Sequence, residues 1–232
     1  MIFYLQGHEI LSLPAMSYLL YLDTTAKHST ILLLNDFGVI SERISEHQSN
    51  HSQVINHLVE EVLAEAKISL NDIQAICVLN GPGSYTGLRI SLSTAKGICY
   101  AKDLPLILLN KLDLLQWAAA KEFPGQSFCT IIQARENEYF AAFYNSEGMR
   151  LAEPSVLSSE SLQTEMGANG SILCFEDPTY GNQFEYFKLV SIKRADILTI
   201  CRNYFLARKY ADLLSSEPFY HKNVFINKIN KL

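Results

Sequence analysis

The run Asn80-Gly81-Pro82-Gly83-Ser84-Tyr85-Thr86-Gly87-Leu88-Arg89-Ile90 places three glycines and a proline between two apolar segments. Residues 74–79, which precede it, form a short apolar stretch that is typical of a buried strand. The residues that follow carry apolar side chains at helical spacing, namely Leu88, Leu92, Ala95 and Cys99. The run therefore predicts a strand, a glycine turn and a helix. Such a turn displays backbone N–H groups to an anion or a partner; a tight corner that needs small residues is the alternative.

The spacing of these residues excludes three familiar catalytic glycine motifs. A phosphate-binding P-loop needs a lysine after its last glycine, and none stands there. A dinucleotide-binding turn needs a glycine at position 86, which is Thr86. A nucleophile elbow around Ser84 needs glycines at positions 82 and 86, which are proline and threonine. The turn is distinctive without being an evident catalyst.

Periodicity outside the turn predicts an alternation of strands and helices. We predict three strands joined as an antiparallel meander, then an amphipathic helix, in the order 18–22, 30–34, 39–45 and 52–66. A strand at 106–109 follows the glycine-turn helix. In the second half we predict a helix at 114–120, strands at 128–133 and 138–144, a polar loop at 158–170 and a long helix at 195–214.

Composition indicates a globular protein. The 232 residues are 48% hydrophobic and 19% charged, which argues against disorder. The five cysteines form no C-x-x-C pair, and we expect a reducing, cytoplasmic environment. No apolar run approaches the length of a membrane span, and residues 1–15 lack the pattern of a signal peptide.

Charge gives little support to RNA binding by the chain alone. The formal net charge is −5, whereas RNA affinity depends on a concentrated basic face. The exception is the C-terminus, where basic residues cluster: His221, Lys222, Lys228 and Lys231. We interpret this segment as a solvated tail, with an RNA contact as the alternative.

The glycine run, with Tyr85 where phenylalanine is usual, resembles the signature of the TsaB family, a subunit of threonylcarbamoyladenosine biosynthesis. Tyr21-Leu22-Asp23-Thr24-Thr25 resembles the opening strand and turn of that family. The similarity continues through Ala95-Lys96-Gly97 and thins beyond residue 110 to Ala134-Arg135 and Glu217-Pro218-Phe219-Tyr220. The first half is thus specific, and the second half is only compatible.

The resemblance implies an α/β protein of actin-like, ribonuclease-H-like fold. It would contain two βββαβαβα-type subdomains with mixed sheets, of which the second is degenerate. We expect residues 1–15 to be a disordered N-terminal extension and 16–110 to be the first subdomain, which carries the glycine loop and partner helices. We expect 111–215 to be the second subdomain and 216–232 to be a C-terminal tail.

The resemblance also implies a function without catalysis. Members of the family activate TsaD, a homologous subunit that transfers a threonylcarbamoyl group to the tRNA adenosine next to the anticodon, together with the ATPase TsaE. ATP and metal are then expected on the partner subunits, with no cofactor on this chain and tRNA bound only by the complex. The helices at 52–66 and 88–100 would contact TsaD or a second copy.

The expected interface residues lie in the glycine loop: Gly81, Pro82, Gly83, Ser84, Tyr85, Thr86, Gly87 and Arg89. Asp23, Thr24 and Thr25 occupy the place where actin-like ATPases hold the metal and phosphates of a nucleotide. We interpret these three residues as a structural turn or a vestigial nucleotide site. A free-standing actin-like ATPase remains an alternative.

A metal-dependent, glycoprotease-like peptidase is the other enzymatic alternative. His47 and His51 would share one face of a helix and could then hold a metal. The segment lacks the H-E-x-x-H pattern of zinc peptidases, and no third ligand is evident. We therefore predict surface histidines near a helix start and no metal site.

Two positions depart from the pattern of the family. Position 133 is glutamine where aspartate is common, and position 91 is serine where glycine often follows the signature. An added side chain at a tight helix contact costs about 1 kcal/mol or more. We therefore expect Ser91 to affect helix packing and Gln133 to weaken a contact of its loop.

Overall fold

The computed structural model describes residues 17–46, 50–179, 184 and 187–219. Its strands form two five-stranded mixed sheets, one from each half of the chain. The predicted extension at 1–15, His47 and the basic cluster at 221–231 lie outside the described residues.

The first sheet is built around the parallel pairing of its central strands. Its strands are β1 (Tyr18–Asp23), β2 (Thr30–Leu34), β3 (Val39–Ile44), β4 (Ile73–Leu79) and β5 (Leu106–Leu109). They lie in the order β3-β2-β1-β4-β5. Antiparallel pairing joins β1, β2 and β3, and parallel pairing joins β1, β4 and β5. The parallel pairs need crossover helices, which are α1 (His51–Ala66) and α2 (Tyr85–Lys102).

The second sheet repeats that arrangement. Its strands are β6 (Phe128–Arg135), β7 (Glu138–Tyr144), β8 (Ser155–Ser158), β9 (Ile172–Phe175) and β10 (Lys188–Leu189). Read from the opposite edge, their order is β8-β7-β6-β9-β10, with the same antiparallel and parallel pairs. The remaining helices are α3 (Lys111–Glu122), α4 (Ser159–Asn169) and α5 (Arg194–Leu206). The repeated order confirms the predicted actin-like fold with two mixed sheets.

Helices cover both faces of the first sheet. The predicted stripe of α1 is confirmed, since Ile55, Val59 and Val62 are buried against that sheet beside Leu92 and Ala95 of α2. On the opposite face, apolar residues of α5 and α3 pack on the strands: Leu114, Ile197, Ile200 and Cys201. The parallel strands are buried on both sides, which explains their continuous apolar runs.

Two predictions for the second half are wrong. The polar stretch at 158–170 is not a loop, because residues 159–169 form α4. Ser158 caps its start, the left-handed Gly170 ends it, and within it Leu162 alone is buried, so little hydrophobic periodicity was visible. The final helix ends at Leu206 rather than at 214.

Helix α5 packs against the first sheet, although it lies within the second half of the sequence. Asp196, in its first turn, is buried and accepts hydrogen bonds from the backbone N–H of Lys193 (2.9 Å) and from Nζ of Lys121 on α3 (2.6 Å). These bonds cap α5 and join it to α3. Among the described residues, no helix is long and apolar enough to span a membrane.

Candidate partner-binding site around the glycine turn

The glycine turn is fixed at the carboxyl edge of the first sheet by its neighbours. The backbone N–H of Asn80 donates to the carbonyl of Leu109 at 2.8 Å, and that of Lys111 donates to the carbonyl of Gly81 at 2.7 Å. The peptide bond between Gly81 and Pro82 is cis, and Gly81 has a φ of 116°, in the region that favours glycine. The turn is therefore held from the side of β5.

The other side of the turn packs on the backbone that follows β1. The N–H of Ser84 donates to the carbonyl of Thr25 at 3.0 Å, and the Thr24 hydroxyl donates to the carbonyl of Gly87 at 2.6 Å. A Cβ on Gly87 would lie 1.8 Å from the carbonyl oxygen of Thr24. A Cβ on Gly83 would lie 2.6 Å from the Cβ of Thr25 and 3.2 Å from its carbonyl oxygen. These two glycines are required by close approach, so the tight-corner interpretation holds for the inner side of the turn.

The outer side of the turn faces solvent. Ser84 caps α2 by accepting a hydrogen bond from the N–H of Gly87 at 3.3 Å. Tyr85 is 44% exposed, and the guanidinium of Arg89 lies over its ring at 4.1 Å. Thr86 is also exposed, whereas Gly81, Pro82 and Gly87 are buried. The predicted residues thus form one continuous segment with an internal and an accessible side.

The Asp23 carboxylate is engaged by its own turn. Its Oδ1 accepts hydrogen bonds from the backbone N–H (2.8 Å) and the hydroxyl (2.7 Å) of Thr25. Its Oδ2 lies 3.4 Å from the hydroxyl of Tyr21, which donates to it. Burial raises the pKa of Tyr21 well above its ordinary value, and the charge of Asp23 adds to that effect. Tyr21 therefore stays a neutral donor to this carboxylate.

The outer face of α2 carries small side chains rather than a broad apolar patch. Ser93 and Gly97 are exposed, and a Cβ on Gly97 would meet no atom within 4 Å. Tyr100, on the same face, is 81% exposed. Within the described surface of α1 the exposed residues are mainly polar, as with His57 and Glu60. A small-residue face permits close approach of another helix.

A C-terminal segment, residues 211–219, runs beside the turn and was not predicted to do so. Lys96 Nζ donates to the carbonyls of Leu214 (3.2 Å) and Ser216 (3.1 Å). Asn80 Nδ2 donates to the carbonyl of Glu217 at 3.0 Å, and the N–H of Phe219 donates to the carbonyl of Asn80 at 3.0 Å. The similarity of Lys96 and of 217–220 to the family was the only signal for this contact.

Of the two histidines singled out in the sequence, His51 lies within the described residues and His47 lies outside them. His51 is buried at the first position of α1, and its Nδ1 lies 2.7 Å from the hydroxyl of Ser29. The prediction of a surface position is therefore wrong for His51, which packs within the start of the helix. The described part of the chain contains no group of three residues that could hold a metal.

The two departures from the family pattern have different surroundings. Ser91 is fully buried, and its hydroxyl lies 3.4 Å from the carbonyls of both Gly87 and Leu88. Its side chain is thereby accommodated within α2. Gln133 lies near the end of β6 with an exposed side chain.

The order of the strands in the two sheets defines this chain as a protein of the actin-like class. Its glycine turn packs on the backbone of residues 24 and 25. A solved structure from Pseudomonas aeruginosa, described as similar to the peptidase YeaZ, superposes with a TM-score of 0.72. It is 21% identical, and the match covers 89% of this chain and 100% of that one. The family model "TsaD: tRNA N6-adenosine threonylcarbamoyltransferase" matches residues 35–192.

Two curated relatives are more specific. The TsaB protein of Haemophilus influenzae is 32% identical over 123 residues, which cover 53% of this chain and 51% of the relative. The TsaB protein of Escherichia coli is 30% identical over 129 residues, which cover 56% and 55%. The matching part of the chain thus spans about half the length of these relatives. The chain belongs to the family that the TsaD model describes, and about half of it is similar to the curated TsaB proteins.

Proposed function

We propose that this chain is a non-catalytic activating and scaffold subunit in threonylcarbamoyladenosine modification of tRNA. In this role it binds the transferase subunit TsaD, and TsaE joins the complex. The names of the relatives support the pathway. The identity of the partners rests on the resemblance stated for the family.

The main support for a non-catalytic role is the packing of the glycine turn on Thr24 and Thr25. In actin-like ATPases the residues after the first strand hold the metal and phosphates of the nucleotide. Here Gly83 and Gly87 approach Thr25 and Thr24 too closely for a Cβ. Asp23 also accepts bonds from Thr25 and Tyr21. These contacts favour a fixed structural corner over a site that turns over ATP.

The outer face of α2 supports the scaffold role. Ser93 and Gly97 leave room for a second helix, and Tyr100 supplies one large exposed side chain next to them. Small residues allow two helices to approach closely, and an aromatic residue at the edge adds buried apolar area. We propose that TsaD occupies this face in the complex, and that a second copy occupies it in the free protein.

Omission of the chain from a reconstituted reaction tests this function. A tRNA substrate is incubated with TsaD, TsaE and the adenylate-forming enzyme of the same organism, with or without this protein. We expect modification only when the chain is present. Undiminished modification without it would overturn the activator role. ATP hydrolysis by the isolated chain would favour the ATPase alternative instead.

A further inference from the structure

A cleft of about 510 Å³ lies between α2 and the C-terminal segment. Its lining includes Arg89, Ser93 and Lys96 from the helix and Ser216, Glu217 and Pro218 from the segment. We infer that this cleft receives a carboxylate-bearing side chain of the partner subunit. The inference rests on the proposed function, because it names the chemistry of the partner at the same surface.

The C-terminal wall of the cleft is held in place by hydrogen bonds from the folded core. The N–H of Ala211 donates to the carbonyl of Leu106 at 2.8 Å, which adds a bridge at the edge of the first sheet. Lys96 and Asn80 bind the carbonyls of residues 214, 216 and 217. Because both walls are anchored, the cleft is preformed for a ligand rather than assembled around it.

The lining is rich in hydrogen-bond donors. Arg89 brings a guanidinium, and Lys96 brings an ammonium group with three N–H donors, two of which bind carbonyls of the segment. Ser93 and Ser216 add hydroxyl groups, and Glu217 is the one carboxylate among the described residues of the lining. The lining thus has an excess of positive charge in a chain of net charge −5. Electrostatic complementarity favours a carboxylate as the occupant.

The cleft is continuous with the face proposed to contact TsaD. Ser93 belongs both to the cleft and to the small-residue face that includes Gly97 and Tyr100. A helix lying on that face would bring side chains within reach of the cleft. A single acidic residue on the docked helix would be attracted by the positive charge of Arg89 and Lys96, and it would fix the register of the two helices.

Charge-changing variants give a test in which the sign of the effect is decisive. Binding of the purified chain to TsaD is measured by calorimetry at 50 and 300 mM NaCl. We expect R89Q to weaken binding about fivefold, and E217Q, which removes a competing carboxylate, to strengthen it about twofold. Both effects should shrink at the higher salt concentration because partly exposed charges are screened.

Two matched variants control for net charge alone. K102Q changes a lysine of α2 that binds the side chain of Asn71, and E147Q changes an exposed carboxylate in the turn after β7. Both lie outside the cleft lining and should leave the affinity within about twofold of the wild-type value. Thermal unfolding of each variant verifies that the fold is intact.

Each outcome decides a different question. Stronger binding by R89Q together with weaker binding by E217Q would mean that the cleft takes a cationic group, and unchanged affinities would mean that it takes no charged group. Either result overturns the inference alone. Equal effects from K102Q and R89Q would overturn it as well, because net charge would then explain both. Absence of wild-type binding to TsaD would overturn the proposed function, and the inference with it.

Discussion

The Thr24 hydroxyl donates a hydrogen bond of 2.6 Å to the carbonyl of Gly87, so the turn after the first strand is joined directly to the first turn of α2. The two residues are 63 positions apart in sequence. Their main chains approach so closely that Gly87 has no space for a Cβ.

We therefore expect G87A to destabilise the protein by about 3 kcal/mol or more, because the added methyl displaces the main chain of Thr24. G97A is the matched control on the same helix, where the methyl meets nothing within 4 Å. It should raise the free energy of unfolding by about 1 kcal/mol through helix propensity. Urea unfolding measures both, and a loss below 1 kcal/mol for G87A would contradict the packing described.

The outer face of α2 predicts a separation of binding from stability. G97L places a bulky side chain on the small-residue face and should abolish binding to TsaD, the proposed partner, without lowering the unfolding midpoint. G167L makes the same change at an open, exposed position of α4 on the other half and should bind normally. Gel filtration of mixtures reports the complex. Normal binding by G97L would place the interface elsewhere.

The turn at Asp23 predicts a structural phenotype for D23N. Asparagine keeps one oxygen for Thr25 and loses the charge, so we expect a loss of about 1–2 kcal/mol in unfolding free energy. Support of tRNA modification should persist at saturating protein concentration. A variant as stable as the wild type that no longer supports modification would instead indicate that the carboxylate serves a nucleotide.

Substitution of Asp196 should show how much the cap of α5 and its bond to α3 contribute to stability. D196A removes both the cap of α5 and the bond from Lys121, and should cost about 1–2 kcal/mol because the helix loses its N-terminal cap and its ion pair with α3. D196N keeps an acceptor for the N–H of Lys193 and should cost less than half as much. Equal losses in urea unfolding would show that the cap contributes nothing.

The five cysteines predict low thiol reactivity in the native protein. All five are buried and free, and burial raises the pKa of Cys99 and of Cys174 to about 12. Because the thiolate is the reactive form, Ellman's reagent at pH 8 should titrate less than one thiol in the native state and five in guanidinium. Fast reaction of two or more native thiols would contradict this burial.

Cys99 and Cys174 give stability a dependence on alkaline pH. Their folded pKa values lie above those of the unfolded chain, so their contribution is complete below the unfolded value of about 8.5. It is lost as pH rises from there towards the folded value of about 12, because only the unfolded state ionises. The urea midpoint should therefore fall between pH 8.5 and 10, and substitution of Cys99 by alanine should reduce that slope.

Local sequence predicted the parts of the fold that local chemistry specifies. The stripe of α1 and the continuous apolar runs of β1 and β4 follow from periodicity, and the glycine turn follows from its composition. Helix α4 was missed because Leu162 is its one buried residue. Here capping by Ser158 and Gly170, rather than an apolar stripe, marks the helix.

The long-range features of the site were beyond local reasoning. Asn80 binds the carbonyl of Glu217 across 137 positions of sequence, and Lys96 binds that of Ser216 across 120. Both contacts involve backbone carbonyls, which carry no residue-specific signal. The same holds for the contact of Gly87 with Thr24, so the sequence indicated a need for glycine there without showing what requires it.

The close contacts at Gly83 and Gly87 differ in whether a second substitution can relieve them. At Gly83 the nearest obstacle is the Cβ of Thr25, so a glycine at position 25 would remove the closest contact and a paired change at the two positions is possible. At Gly87 the obstacle is the carbonyl of Thr24, which every amino acid possesses. No substitution at position 24 restores the space, because the backbone carbonyl remains. A replacement of Gly87 therefore cannot be compensated by a change at position 24.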